Sequence, residues 1–300
     1  MGVEAKEGLL MSKPEFKKIV IFGVGLIGGS FALALRKANA VTEVVGFGRS
    51  AQTLAQARQL GIIDRIGADM AAELRDTDLI LLATPVGQMP DIMAHIAPHL
   101  GANSLITDGG STKSDVVAAA RANLGKKISQ FVPAHPIAGA EQSGAAAARA
   151  DLYQGKKVVL TPLPENSAEA VARVRQAWEL CGATVSELTP QQHDEVFAAV
   201  SHLPHLLSFA LVHDLAQRDN RDLLLSFAAS GFRDFTRIAA SSPEMWRDIC
   251  LANRGALLCE LDRYTGELSL VRAALVSGDA KKLEEIFQHA RSVRANWTAQ

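Results

Sequence analysis

From Lys17 to about Leu188, short apolar runs alternate with amphipathic stretches. The runs KIVIF (18–22), EVVGF (43–47), DLILLA (78–83), SLIT (104–107), ISQFV (128–132), KVVLT (157–161) and ATVSEL (183–188) favour β-branched residues and are bounded by Gly, Asp or Pro. That pattern predicts strands. Between the early runs, IGGSFALALRKAN and AQTLAQARQL carry helical spacing. Strand–helix–strand alternation predicts a parallel sheet covered on both faces. After TPQQ (189–192) no convincing strand follows, and apolar residues recur at helical spacing in VFAAVSHLPHLLSFALVHDL and GALLCELDRYTGELSLVRAALV. Thr189 and Pro190 fit a helix start, with Thr as N-cap and Pro in the first turn. The expected organisation is an α/β domain at 15–188 followed by an all-α domain at 189–295. The helices of the second part are more apolar than a half-exposed bundle needs, so some of that surface is expected to pack against another copy of the chain.

The composition removes several classes. Over 300 residues the formal net charge is −1, which gives no reason to expect nucleic acid or an anionic membrane surface as a partner. The apolar run KKIVIFGVGLIGG contains four glycines and is too short to span a bilayer. The opening residues, MGVEAKEGLLMSKPEF, carry glutamates and lack an apolar h-region, so no signal peptide is read there. Cys181, Cys250 and Cys259 form no CxxC and leave one over, which fits reduced thiols in a cytoplasm.

IFGVGLIGGS contains Gly23-x-Gly25-x-x-Gly28 directly after a predicted strand, and Leu26 and Ile27 open a predicted helix. In that context the motif predicts a Rossmann-type dinucleotide site. Gly23 permits the tight turn, Gly25 lets backbone approach a pyrophosphate, and Gly28 lets helix and strand pack closely. The helix N-terminus offers unpaired N–H groups and partial positive charge to the phosphates. An NAD site usually carries an acid about 20 residues further on, against the ribose hydroxyls. Here the second strand ends GFGRS, with Gly48 where the acid belongs, followed by Arg49 and Ser50. A guanidinium can bind a 2′-phosphate and a serine can donate to it, so NADP is favoured and NAD kept as the alternative. Thr84 and Pro85 follow the strand 78–83 and are expected to border the cofactor, or else to form a simple strand-ending turn.

Four polar clusters could carry chemistry. ITDGGSTKSD offers Asp108, Ser111 and Lys113, although STKSD also reads as a helix start with a solvated lysine. PAHPIAGAEQSG offers His135 in a predicted loop, as a base or as a buried packing residue. SHLPHLLS carries His202 and His205 at i, i+3, but with no further ligand at a known spacing no metal site is assigned. FRDFTRIAASSPEMWRD carries Arg233, Arg237 and Trp246, and the arginines could equally pair with Asp234 or Glu244. Taken together, a phosphate loop, a hydride carrier, a histidine and arginines suggest an enzyme acting on a small anionic substrate.

KIVIFGVGLIGGSFALALR, DGGSTKSDV, AHPIAGAEQSG, SHLPHLLSFALV and GFRDFTRIAASSPEMWRDI occur here in one order. In this the chain resembles the prephenate/arogenate dehydrogenases of tyrosine biosynthesis, from about Lys17 to about Arg254. No chorismate mutase segment precedes the nucleotide motif, so a monofunctional member is expected. The resemblance implies oxidative decarboxylation of prephenate, or of arogenate, with NAD(P)⁺, and a helical domain that dimerises. It implies that His135 takes the proton of the C4 hydroxyl and that Ser111 bonds the same hydroxyl. It further implies that Arg237 binds a substrate carboxylate, that His205 lies near the substrate and that Trp246 shapes the pocket. The rival expectations are another NADP-dependent dehydrogenase with a helical C-terminal domain, or a non-catalytic dinucleotide sensor.

Overall fold

A computed structural model describes residues 14–139 and 142–297. The leader reading at residues 1–13, and Ala140 and Glu141 of the AHPIAGAEQSG stretch, lie outside the described residues. In chain order the elements are β1 (Phe16–Phe22), α1 (Leu26–Lys37), β2 (Val41–Phe47), α2 (Ala51–Gln59), β3 (Arg65–Ile66), α3 (Met70–Arg75), β4 (Leu79–Leu82), α4 (Met89–Ile96), β5 (Leu105–Asp108), α5 (Ser114–Leu124), β6 (Ala134–Pro136), β7 (Lys157–Leu160), α6 (Ala168–Leu180) and β8 (Thr184–Glu187). Helices alone follow: α7 (Pro190–Phe197), α8 (Leu203–Ala216), α9 (Arg221–Ser226), α10 (Ser230–Thr236), α11 (Pro243–Ala252), α12 (Arg254–Ser277) and α13 (Ala280–Asn296). The chain divides into two units, the second beginning at Leu188. Two short segments from earlier in the chain, Pro85–Gly87 and Ser111–Asp115, group with the second unit.

The first unit holds a five-stranded parallel sheet in the order β3-β2-β1-β4-β5. On the central strand Ile19, Val20 and Ile21 are all fully buried, as expected when helices cover both faces. A second sheet, ordered β6-β7-β8, pairs β6 antiparallel and β8 parallel to β7. Trp178 of α6 packs edge-on against Phe31 of α1 and against Tyr153, which anchors this sheet's helix on the common core.

Six of the expected strands lie within two residues of observed ones. ISQFV does not form one: residues 125–130 make a 3₁₀ turn, and only Phe131 pairs, as an isolated bridge with Ile106. Gly125, at φ 54°, sets the turn, and Pro133 leaves little room for a strand before it. The strand is Ala134–Pro136 instead, so His135 sits on a sheet and not in a loop. The two-residue strand β3 escaped the pattern because it is too short to show a period.

In the second unit, α7 begins with a full capping box: Thr189 Oγ1 accepts from Gln192 N–H, and Gln192 Oε1 accepts from Thr189 N–H. Residues 198–202 form a single wide π turn that carries α7 into α8. Pro204 accounts for it. Proline has no N–H to send to the carbonyl four residues back, and its ring crowds that carbonyl, so the helix widens there.

Candidate active site

The dinucleotide loop is built from backbone. Gly23 has φ +93°, and a Cβ there would lie 2.5 Å from the Ala83 carbonyl oxygen. At Gly28 a Cβ would lie 2.2 Å from the Gly23 carbonyl oxygen and 2.8 Å from Ile21 Cγ2. Both glycines are therefore required by the protein itself. Gly25 differs: a Cβ there would meet no described atom within 4 Å, so the space before it is open. No side chain caps α1, and its first turn has no acidic residue. Its leading N–H groups, at Leu26 and Ile27, remain for an anion. Tyr153 donates its hydroxyl to the Ile27 carbonyl at 2.6 Å, which fixes that first turn from below. This geometry fits the pyrophosphate of a dinucleotide.

At the end of β2, a Cβ on Gly48 would make only ordinary contact with Leu54, 3.5 Å away. Packing does not demand glycine there. Arg49 is exposed beside it. With the Gln88 amide oxygen turned toward the guanidinium, Arg49 donates to it at 3.0 and 3.2 Å. Ser50 caps α2, accepting from Thr53 N–H at 3.1 Å, which leaves the hydroxyl proton to donate. Thr84 belongs to the first unit and its Cγ2 borders Gly23, whereas Pro85 groups with the second unit.

His135, half-buried, pairs across β6 and β7 with Val159. Its strand is tied to the end of β5 by Asp108. That carboxylate is fully buried, accepting from Gly110 N–H at 2.8 Å and from Ala134 N–H at 2.9 Å. The residue directly before His135 is thus clamped to the strand end that leads into the Ser111 segment.

The second unit brings together Ser111, His202, His205, Arg237 and Trp246. His205 stacks on Trp246 with ring centroids 3.7 Å apart. Its Nδ1–H donates to the Ser201 carbonyl at 2.9 Å, so Nε2 is the nitrogen left to face a ligand. Burial, and then the positive charge of nearby Arg237, hold the His205 pKa below its ordinary value despite the Ser201 carbonyl. The imidazole is therefore neutral at pH 7. Arg237, exposed, starts the turn after α10. His202 is buried and lies edge-on to Trp246, and desolvation lowers its pKa to about 4.

Asp194, His193 and Asn253 complete this cluster, and all three are buried. Asp194 accepts from the N–H groups of Lys113 and Ser114, at 2.8 Å each, and from His193 Nδ1 at 2.9 Å. Burial pushes its carboxyl up, but these hydrogen bonds outweigh burial and hold it below the usual carboxylate range. Lys113, read either as part of a polar cluster or as the solvated neighbour of a helix cap, is fully buried.

Residues 31–187 match the family model for the prephenate dehydrogenase nucleotide-binding domain, and residues 189–289 match its dimerization domain. The chain belongs to the prephenate dehydrogenase family. It is 36% identical over 281 residues to the cyclohexadienyl dehydrogenase of Zymomonas mobilis, covering 93% of this chain and 95% of that one. It is 37% identical over 279 residues to the prephenate dehydrogenase of Bacillus subtilis, covering 92% and 75%. The crystal structure of prephenate dehydrogenase from Aquifex aeolicus, in complex with hydroxyphenyl propionate and NAD⁺, superimposes with TM-score 0.87 at 34% identity, covering 93% of this chain and 97% of that one.

Within this prephenate dehydrogenase fold, the sequence did not point to Asp194, His193 or Asn253. The one available signal was the adjacent His–Asp pair, which is too common to count as a motif.

Proposed function

We propose that this chain carries out the oxidative decarboxylation of prephenate with NAD(P)⁺, giving 4-hydroxyphenylpyruvate, CO₂ and NAD(P)H in tyrosine biosynthesis. The observation that carries the reading is the second-unit cluster: a guanidinium beside a neutral imidazole stacked on an indole. That set suits an anionic ring substrate, with a cation for a carboxylate and flat surfaces for the ring. The A. aeolicus relative, whose structure holds a hydroxyphenyl acid and NAD⁺, supports it.

In this reading Gly23, Gly25, Gly28 and the N–H groups of Leu26 and Ile27 hold the pyrophosphate, and Thr84 and Pro85 border the nicotinamide end. NAD(P)⁺, when bound, accepts the hydride that leaves C4. His135 holds the C4 hydroxyl proton as the hydride departs. The ring carboxylate then leaves as CO₂, and its bonding pair restores the aromatic ring. His135 returns the proton to the new phenolic oxygen, so no proton is consumed overall. Ser111 bonds the same hydroxyl. Arg237 takes a substrate carboxylate, with His205 beside the substrate and Trp246 closing one wall. Aromatisation supplies the driving force, and the protein supplies position.

For the cofactor we favour NADP, on Arg49, Ser50 and the acid-free Gly48. The chain is proposed to act in the cytoplasm as a homodimer through its helical unit. Leu258, Leu268, Leu275, Val276, Phe287 and Val293 of α12 and α13 are all exposed, which fits a face covered by a second copy. The helical run Pro190–Ala216 is long and apolar enough to cross a membrane by length and composition, with 28% of its most apolar window buried. A dimer face accounts for that surface as well.

Four assays test this: prephenate and arogenate, each with NADP⁺ and NAD⁺, following reduced cofactor and CO₂. The expected result is equimolar CO₂ and NADPH from prephenate. No turnover of either compound with either cofactor overturns the activity. Gly48→Asp should shift preference toward NAD, and Arg49→Ala should weaken NADP more than NAD; equal effects on both cofactors remove the 2′-phosphate assignment.

A further inference from the structure

The N–H groups of Lys113 and Ser114 stand at the start of α5, where helix geometry leaves donors without intrahelical partners. Such groups are ordinarily capped by a side chain from the residue just before the helix. Here the cap is Asp194, about 80 residues further along the chain, with one carboxylate oxygen on each N–H at 2.8 Å. Asp194 is itself fixed. His193 Nδ1 bonds its Oδ1 at 2.9 Å, and Asn253 Nδ2 donates to its carbonyl at 2.8 Å. The same Asn253 amide nitrogen lies 3.1 Å from His202 Nδ1. Since the amide donates, Nδ1 accepts and the ring proton sits on Nε2. The Ser111 carbonyl faces this imidazole, although no described group meets hydrogen-bond geometry at Nε2. The segment 111–115 is therefore held at its later N–H groups by a carboxylate, while an imidazole faces its first carbonyl. One asparagine ties the two side chains together.

We propose that Asp194 is a positioning residue for Ser111, braced by Asn253 and His202. The inference rests on the reading that Ser111 touches the substrate hydroxyl. A buried carboxylate is unfavourable unless fully hydrogen-bonded, and this one spends both oxygens on two consecutive N–H groups. Asparagine at 194 keeps the shape but presents one N–H donor to another. The segment must then shift, and Ser111 moves with it.

The test is a double-mutant cycle in the full-length protein, reading prephenate kcat and the KM for cofactor. Asp194→Asn alone should lower kcat by about tenfold to a hundredfold, while cofactor KM stays within about twofold. In a Ser111→Ala background the same substitution should lower kcat by less than about threefold, because the group it positions is already gone. Losses that multiply in the double variant show a general structural role and overturn the proposal, as does an unchanged kcat in Asp194→Asn. If Ser111→Ala alone keeps wild-type turnover, the Ser111 reading falls and this inference with it. Should Asp194→Asn fail to fold, Asn253→Ala leaves the carboxylate in place and only unties it. A kcat loss of several-fold that disappears with Ser111→Ala supports the proposal; no loss, or a multiplying one, overturns it.

Discussion

The glycine loop of the first unit and the Ser111 segment of the second present ligand-facing backbone by opposite means. The loop works by absence. Gly23 and Gly28 remove Cβ atoms that would collide with protein, and Gly25 leaves open space. The Ser111 segment works by presence. Asp194, His193, His202 and Asn253 are buried around it, bonded to its backbone or to one another. An added atom damages the first kind of site, whereas the second is damaged by a lost or reversed hydrogen bond. The first should fail locally and by steric contact, the second through several residues at once.

The largest expected effect lies outside both devices. His135→Asn should lower kcat by about 10²–10⁴-fold while cofactor KM stays near normal, as for loss of a general base. A variant with normal turnover removes His135 from the mechanism. The next pair probes the loop. Gly25→Ala meets no protein atom in the structure, so thermal stability should hold. The methyl would occupy space assigned to the pyrophosphate, and dinucleotide affinity should fall by about 1–3 kcal/mol, or about tenfold to a hundredfold. Gly28→Ala should do the reverse, since its methyl collides with the Gly23 carbonyl and Ile21. It should destabilise the fold by about 1–3 kcal/mol before any ligand is added. Titrating each variant with NADP⁺ and measuring its melting temperature separates the two. If Gly25→Ala melts early or binds normally, the open space is not the phosphate site.

How far each region could be read from the sequence follows from the same difference. The strand, the three glycines and the helix of the loop lie within Phe16–Lys37, so local spacing was enough to place them. Thr189 and Pro190 were legible for the same reason, because a helix cap is a four-residue event. His135 was read as a loop candidate, and the structure puts it on a strand instead. ISQFV has the composition of a strand, yet Gly125 and Pro133 confine it to a turn, and β6 is only three residues long. Lys113 was left open between a polar cluster and a solvated place beside a helix cap; the structure buries it fully, and its N–H bonds a carboxylate 81 positions away. Nothing in the spacing of Asp194, His202 and Asn253 announces that they share one hydrogen-bonded group. The π turn at 198–202 also changes which side chains share a helix face. The polar clusters offered Ser111 and Arg237 as candidates, the resemblance to a known family gave them roles, and only the structure showed what surrounds them.

The remaining effect is a pH dependence, and it belongs to the buried cluster alone. His202 has a pKa near 4 in the folded protein, because burial disfavours its charged form, against about 6.5 when unfolded. The unfolded chain therefore binds a proton that the folded one refuses between these values. Stability is unaffected by this group above about pH 6.5, falls as the pH drops below it, and stops falling below about pH 4. At about 1.4 kcal/mol per unit, the full loss is about 3 kcal/mol. His202→Gln removes the titration. Urea midpoints should then show the variant less stable than wild type at pH 7.5, where it loses packing against Trp246 and its bond with Asn253. That gap should narrow steadily toward pH 4.5. Glu73, whose pKa is lowered by Arg65 and Lys18, also loses stabilising charge on the acid side, but it does so equally in both proteins. A gap that stays constant across this range would mean that His202 titrates normally and that its burial does not hold it neutral.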